Sequence, residues 1–445
     1  MSQVTATRPE PFVSEGSSPP ATSRSTPGFH PGFTGLRCRS CDTPQETAAL
    51  FVCPRCFGPL EPTYDLAGLR GRLTRETIEA RPAGIWRLAE LLPVDEVPAA
   101  PARVGDSPLV EVPRLAAAIG LERLWVKDDS RNPTLSFKDR PVAIATARAI
   151  EFGFHTLACA STGNLAPAVA AAASAHGLRA VVFVPADLEP AKVAQARALG
   201  ATVVRVDGPY DSVNRLCLEL TDELDGWAVV NVNLRPYYAE GSKTIAFEVA
   251  RQLGWRTPDV VVAPLASGSL YTKLAQGFEE LVEVGLVERS SIRFLGGQGA
   301  GCAPIATAFA AGTDVVAPVE RPTGIVRSLA IGSPADGPYA VRLAQTSDGA
   351  ILGASDEEVV DSIRLLASTE GILTETAGGV TVAALRQAVR EGRVGPEDEV
   401  VLVITGNGLK TLDALEDGSP LPEPIAPTYE AFESWWEDAQ ARLAI

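Results

Sequence analysis

The sequence predicts an α/β protein whose parallel sheets are covered on both faces, with a small four-cysteine unit ahead of them. Three observations carry that prediction. From about residue 100, short β-branched runs alternate with Ala-rich runs of helical length; several of those strands run directly into glycine turns; and two Cys-x-x-Cys pairs stand before the alternation begins. Strands buried on both faces read as near-continuous apolar runs, and the crossovers between them need helices. Doubly wound sheets bind ligands at the carboxyl ends of their strands, which is where these glycine turns lie.

The elements follow in chain order. Residues 1–33, rich in Ser, Thr and Pro, open without a basic and apolar leader and read as a disordered, cytoplasmic tail. Residues 34–65 hold Cys38-x-x-Cys41 and Cys53-x-x-Cys56, which bracket 11 residues. Pro54 and Gly58 suit tight turns whose amides point at sulfur, and four thiolates can close a tetrahedral site on a structural zinc ion. Thiols without metal are the plain alternative. A disulfide framework is not, because the seven cysteines are odd in number and four are paired in this motif. Strands are predicted over 124–129, 156–160, 179–185, 202–206, 227–232, 260–264, 294–298 and 400–404, with helices over 140–152, 166–176, 189–199 and 355–370. The stretch 320–349, rich in Gly and Pro, breaks the alternation. Residues 422–445 carry Trp435 and Trp436 in an acidic amphipathic run, predicted to be a helix packed on the body.

Composition narrows the function. At 445 residues the chain exceeds a usual single domain. No uninterrupted apolar segment reaches spanning length, so a membrane is not an expected partner. A formal charge of −16 opposes a phosphate backbone, and no basic patch overrides it, which argues against nucleic acid. With only His30, His155 and His176 available, schemes that depend on imidazole are few.

Ser136-Phe137-Lys138-Asp139 lies where a predicted strand gives way to a helix. An amine there can meet an anionic or carbonyl ligand as a Schiff-base lysine, or it can be a solvated charge. Ser161-Thr162-Gly163-Asn164 offers amides, hydroxyls and a carboxamide to a carboxylate, or simply caps the next helix. The turn from Leu265 to Thr272 can cradle a phosphate through backbone N–H groups. Thr405, in Ile404-Thr405-Gly406-Asn407-Gly408, can present a hydroxyl at a strand tip.

These motifs, with Glu375-Thr376-Ala377-Gly378-Gly379, stand in the order and spacing of the threonine synthases, which the chain resembles from about Arg37 to Ala414. Those are pyridoxal-phosphate enzymes of the tryptophan-synthase-β-like, fold type II superfamily, and one bacterial branch carries the cysteine ribbon. The resemblance implies two parallel-sheet domains within 66–420, the smaller at roughly 137–245 inserted between parts of the larger, then a helical extension over 421–445. It also allows a homodimer. It implies that Lys138 holds pyridoxal phosphate as a Schiff base, Asn164 bonds its 3′-oxygen and Phe137 lies close to the ring. Ala266, Ser267, Gly268, Ser269, Leu270 and Thr272 would hold its phosphate, and Thr405 would face the pyridine nitrogen.

The implied reaction converts O-phospho-L-homoserine, a small phosphorylated amino acid, and water to L-threonine and phosphate. Lys138 would shuttle protons at Cα and Cβ. Ser161 and Thr162 would receive the α-carboxylate. The runs 231–235 and 240–244 would supply Asn231, Asn233, Arg235 and Lys243 to the leaving phosphate, although Arg235 and Lys243 could equally be surface charges. Two departures bear on substrate. Leu165-Ala166-Pro167-Ala168 stands where many relatives continue with hydroxyls, and Leu135 is apolar where a polar residue is frequent. The rival readings are a β- or γ-replacement on another activated amino acid and a non-enzymatic zinc-ribbon binding protein.

Overall fold

The computed structural model describes residues 29–99, 103–188, 190–208, 210–416 and 423–443. The predicted tail lies outside the described residues up to residue 28, and Phe33 already belongs to a strand. Three antiparallel strands, β1 (Phe33–Cys38), β2 (Pro44–Gln45) and β3 (Leu60–Tyr64), form a ribbon in the order β2-β1-β3. Leu36 and Cys38 are buried while Arg37 points out, the period-two pattern of a one-sided strand. Each cysteine pair closes alike: Asp42 N–H donates to Cys38 O at 3.0 Å and Phe57 N–H to Cys53 O at 2.9 Å, with Asp42 and Phe57 both left-handed (φ 57° and 60°).

The body is built on two sheets. The strands β4 (Leu109–Glu111) and β5 (Arg123–Asp128) precede β6 (Thr156–Ala160), β7 (Arg179–Pro185), β8 (Thr202–Val206) and β9 (Trp227–Val229), and the last four form a parallel sheet in the order β8-β7-β6-β9. The chain then returns through β10 (Val260–Pro264), β11 (Arg293–Gly299), β12 (Ala350–Ala354) and β13 (Glu399–Ile404) to complete a six-stranded sheet, β12-β11-β10-β13-β5-β4, in which only β4 is antiparallel. Every residue of β6, β10 and β13 is buried, so beyond Thr156 and Glu399 at the strand starts these runs are apolar without alternation.

Two predicted elements differ. The strand expected over 227–232 stops at Val229 because Asn233 folds back, its Oδ1 accepting from Val229 N–H at 3.0 Å and its Nδ2 donating to Trp227 O at 3.2 Å. Within 320–349 a helix runs from Gly337 to Thr346 and buries Ala340, Val341 and Ala344; Pro338 suits its first turn, where no N–H donor is needed. The predicted C-terminal helix forms over Tyr429–Leu443, but Tyr429, Phe432, Trp435 and Trp436 stay exposed, and the rings of Phe432, Trp435 and Trp436 lie against one another. Its amphipathic pattern marks a face that this structure leaves open. Among the described residues, no helix is long and apolar enough to cross a membrane.

A buried charge cluster pins β5 to the helices beside it. Arg140 meets Asp129 (2.6 Å) and Glu248 (2.6 Å), and Lys127 meets Glu248 (2.6 Å) and Ser107 O (2.5 Å). Burial opposes the Glu248 charge, but Arg140 and Lys127 outweigh it and hold the carboxyl well below the usual range.

Candidate active site

In the larger sheet β10, β13 and β5 are neighbours and parallel, so their carboxyl ends open on one edge. From β10 issues Ala266-Ser267-Gly268, from β13 Thr405-Gly406, and from β5 the segment that reaches Lys138. The smaller sheet contributes the end of β6, where Ser161–Asn164 leads into the Leu165–Ala175 helix. Chain order reverses at β6 in one sheet and between β10 and β13 in the other, the switch points at which such sheets leave a crevice. Backbone bonds stitch the loops of the larger sheet together. Phe137 N–H donates to Thr405 O (2.8 Å), Asn407 N–H to Leu135 O (3.1 Å), Glu375 N–H to Gly406 O (3.1 Å) and Gly408 N–H to Leu373 O (3.0 Å). Leu135 adopts φ 64°, a left-handed strain that turns the chain toward Ser136.

Lys138 is half-buried at the N-terminus of the Asp139–Glu151 helix. Its Nζ lies 4.6 Å from the Phe137 ring centroid and 5.7 Å from that of Tyr238. Beside it, Asp139 accepts from Thr134 N–H and Oγ1–H, both at 2.8 Å. Burial nevertheless lifts its carboxyl to about 6.

Asn164 reaches across the cleft. Its Nδ2 donates to both carboxylate oxygens of Glu375, at 2.8 and 3.1 Å. Thr405 Oγ1 lies 3.5 Å from the same carboxylate, at the limit of hydrogen-bond reach. Glu375 is 3 % exposed, and burial pushes its carboxyl up against the opposing pull of Asn164, Lys410 and Lys138. A Cβ at Gly406 would run into Glu375 Oε1, so a side chain there would displace the carboxylate. Sequence reasoning named the motif that begins at Glu375 but gave this residue no role. The signal was an acid heading a helix that continues Thr376-Ala377-Gly378-Gly379. It also missed Tyr238, for which the sequence offers no signal.

The turn after β10 has the form of an anion cradle. Gly268 takes φ +96°, and the Ser269–Glu283 helix begins immediately after it. Amides of a first helical turn have no acceptor within the helix and so face outward. Thr272 Oγ1 donates to Gly268 O (3.2 Å) and Ser269 O (3.1 Å), fastening the turn, while Leu270 is buried and Ala266 packs against apolar neighbours. Asp336 N–H donates to Ser267 O at 2.9 Å and braces the turn from outside.

The predicted substrate residues scatter. The Ser161 hydroxyl accepts from Gly163 N–H and Ala166 N–H, each at 3.2 Å, so it shapes the turn; Thr162 is exposed. Lys243 is a correction. It is fully buried away from solvent, bonded to Glu240 (2.5 Å) and Glu280 (2.8 Å), with its ammonium 4.0 Å from the Tyr64 ring centroid. With two carboxylates on its three N–H donors, an aromatic ring against the ammonium and no access to solvent, it is not placed to meet a phosphate. Asn233 is likewise committed to the end of β9. Arg235 pairs with Asp336 at 3.2 Å and remains partly exposed, and the buried Asn231 Oδ1 has no protein partner among the described residues. Leu165, Ala166 and Ala168 are buried in the main core, which gives their apolar character a packing reason.

In the ribbon, Sγ atoms of Cys38, Cys41, Cys53 and Cys56 all lie within 4.8 Å of one another. Ser40 N–H points at Cys38 Sγ at 3.4 Å. The Thr43 hydroxyl and amide hold Cys41 down at about 6, whereas the Gly58 amide, which acts to lower Cys56, is outweighed by the thiols of Cys41 and Cys38, which carry it to about 12. Four sulfurs this close cannot all be thiolates unless a cation compensates them.

Comparisons with known proteins agree with this geometry. The family profile described as pyridoxal-phosphate dependent enzyme matches residues 101–406. The chain is 33% identical over 391 residues to a threonine synthase of Methanocaldococcus jannaschii, covering 87% of this chain and 96% of that protein. It is 33% identical over 398 residues to one from Methanosarcina acetivorans (89% and 97%) and 35% identical over 326 residues to one from Mycobacterium tuberculosis (73% and 87%). Among solved structures, a threonine deaminase from T.th. aligns with a TM-score of 0.57 at 25% identity, over 71% of this chain and 94% of that one. The Escherichia coli diaminopropionate ammonia lyase, at 22% identity over 71% of this chain and 88% of that one (TM-score 0.59), shares the fold.

Proposed function

The chain belongs to the pyridoxal-phosphate-dependent enzyme family, and from that premise we propose that it is a threonine synthase, converting O-phospho-L-homoserine and water to L-threonine and phosphate. The observation that carries the reading is likeness to curated threonine synthases along nearly their whole length. It is supported by the convergence of Lys138, Thr405 and the 266–272 turn from one sheet and Asn164 from the other on a single cleft.

The residues present suit the cofactor. Ser136 Oγ and Thr376 Oγ1 are buried without a protein partner among the described residues, so the cleft has unspent hydrogen-bonding capacity next to Lys138 and Glu375. Lys138 would hold the cofactor covalently, Asn164 would bond its 3′-oxygen and Phe137 would lie along the ring. Ala266 to Leu270, with Thr272, would hold its phosphate on outward-facing amides. When bound, pyridoxal phosphate supplies an electron sink for charge developing at the substrate's Cα and Cβ.

The chain's own groups do the rest. The Lys138 amine would take protons from Cα and Cβ as phosphate leaves Cγ, deliver one to Cγ, and return one to Cα once water has added at Cβ. Phe137 and Tyr238 wall it on two sides and keep bulk water from that path. The Thr405 hydroxyl, being neutral, does not impose a charge on the ring nitrogen as a carboxylate would. Glu375 fixes the Asn164 carboxamide and, with a carboxyl shifted toward its neutral form, tolerates an oxygen beside it. The amides of the 161–164 turn would receive the α-carboxylate, and Arg235 with Asn231 would face the leaving phosphate. Cys38, Cys41, Cys53 and Cys56 would hold one structural zinc ion.

The test is an assay of the purified protein with O-phospho-L-homoserine, following phosphate and threonine together; equal amounts of both are expected. Protein that binds the cofactor yet forms neither product selects the second reading, a β- or γ-replacement on another activated amino acid. The committed Lys243 and the apolar 165–168 segment are what favour that reading.

A further inference from the structure

We propose that Arg39, the first of the two residues between Cys38 and Cys41, is a positioning residue that ties the four-cysteine site to the cofactor-phosphate turn, so that metal occupancy sets the affinity for pyridoxal phosphate. The inference rests on the cofactor and zinc assignments just proposed.

Arg39 points away from the sulfurs and into the body. Its Nη1 meets Asp336 Oδ1 at 3.4 Å, its Nε meets Glu61 Oε1 at 3.3 Å, and its guanidinium lies 3.5 Å from the Tyr339 ring centroid. Asp336 and Tyr339 both belong to the start of the Gly337–Thr346 helix, so one side chain grips that helix end twice. Asp336 is 6 % exposed and is the residue whose N–H holds Ser267 O. A Cβ added at Gly268 would sit 2.9 Å from Asp336 O, so this residue fills the space directly behind the turn. A second path reaches the same place. Glu61 meets Lys273 at 3.2 Å, and Lys273 lies on the Ser269–Glu283 helix whose first turn is the anion cradle.

The metal enters through the knuckle backbone. Its backbone is held there: Arg39 N–H donates to Pro59 O at 2.9 Å, Cys38 precedes it directly, and Ser40 N–H on its other side points at Cys38 Sγ at 3.4 Å. A cation that draws the four sulfurs together fixes this turn and with it the direction of the guanidinium. Without the cation the thiols lose their common partner, and Asp336 keeps only Arg235. A planar guanidinium that stacks and bonds at once is not replaced by an ammonium.

The test uses the full chain and four variants, Arg39→Ala, Arg39→Lys, Asp336→Asn and Arg39→Ala with Asp336→Asn. Zinc content and the pyridoxal-phosphate dissociation constant, from the absorbance of the lysine-bound cofactor, are measured for each. Arg39→Ala should keep its zinc and bind the cofactor about tenfold more weakly, within the usual size of coupling between sites. Arg39→Lys should recover only part of that loss. Asp336→Asn should weaken binding similarly, and the double variant should bind no more weakly than the weaker single one, because both act on one path. Chelating the zinc should weaken cofactor binding in the unaltered protein and add little in Arg39→Ala. An Arg39→Ala protein with full zinc and unchanged cofactor affinity overturns the proposal. If Arg39→Ala loses its zinc, Asp336→Asn decides: unchanged affinity in that variant overturns it equally. Unaltered protein that takes up no cofactor at all defeats the reading beneath, a separate result visible before any variant is made.

Discussion

Two clusters of buried charge in this protein are compensated in opposite ways. Behind β5, two cations face two carboxylates: Arg140 and Lys127 are bonded to Asp129 and Glu248. At the cleft, Glu375 is equally buried, yet its partners are a neutral carboxamide and a distant hydroxyl. The nearest ammoniums are spent or withheld: Lys410 donates to Gln195 at 3.0 Å, and Lys138 lies against two aromatic rings. A closed ionic cluster has nothing left to offer a ligand, whereas a buried acid without a countercharge leaves the site open to one.

Removing one group from each cluster separates these roles. Lys138→Ala should lower turnover by at least about 1000-fold and remove the absorbance of the bound cofactor, with thermal unfolding little changed. Retained threonine formation would defeat the cofactor assignment. Glu248→Gln leaves Arg140 and Lys127 short of a negative charge and should cost about 3–5 kcal/mol in urea unfolding. Asp139 sharpens the contrast through pH. Its native carboxyl keeps its proton up to about 6 while an unfolded one ionises near 3.8, so between those values the native state binds more protons. Its contribution to stability is therefore full below about pH 4 and lost as pH rises through 6, about 3 kcal/mol in all. The separation between the stability curves of the protein and of Asp139→Asn should change by that amount over that window, with the protein losing stability as pH rises; parallel curves would show an ordinary carboxyl. Glu375→Gln should cost about 10–100-fold in turnover and little stability at neutral pH, because the group it replaces already leans toward neutrality. A stability loss as large as that of Glu248→Gln would erase the distinction.

Much of the fold was legible because its central strands are buried on both faces. The runs 156–160, 179–185 and 260–264 are strands over those same residues, and so is 202–206, although it is an edge strand with no fully buried residue. What escaped depends on neighbours that local sequence does not carry. Lys243 looked available to phosphate, but Glu280, 37 positions on, claims it. Glu375 becomes a cleft residue only through the sheet order that brings its helix beside Thr405 and opposite Asn164. The C-terminal aromatic stripe predicted burial, but its rings stay exposed. The cysteine spacing indicated a ribbon, but it gave no hint that the residue inside the first pair reaches the body.

The backbone bonds that join 135–137, 373–375 and 405–408 have a mechanical consequence. These three segments form one plate, so a hinge between the two sheets cannot change the spacing from Lys138 to Thr405. It can change the spacing from Lys138 to Asn164, which hangs from the other sheet and is tethered through its carboxamide to Glu375. Opening and closing would therefore act on one side of a bound ring alone, as a door moves on its frame. The amides of Phe137, Glu375, Asn407 and Gly408 should exchange with solvent at the same slow rate whether the cleft is filled or empty.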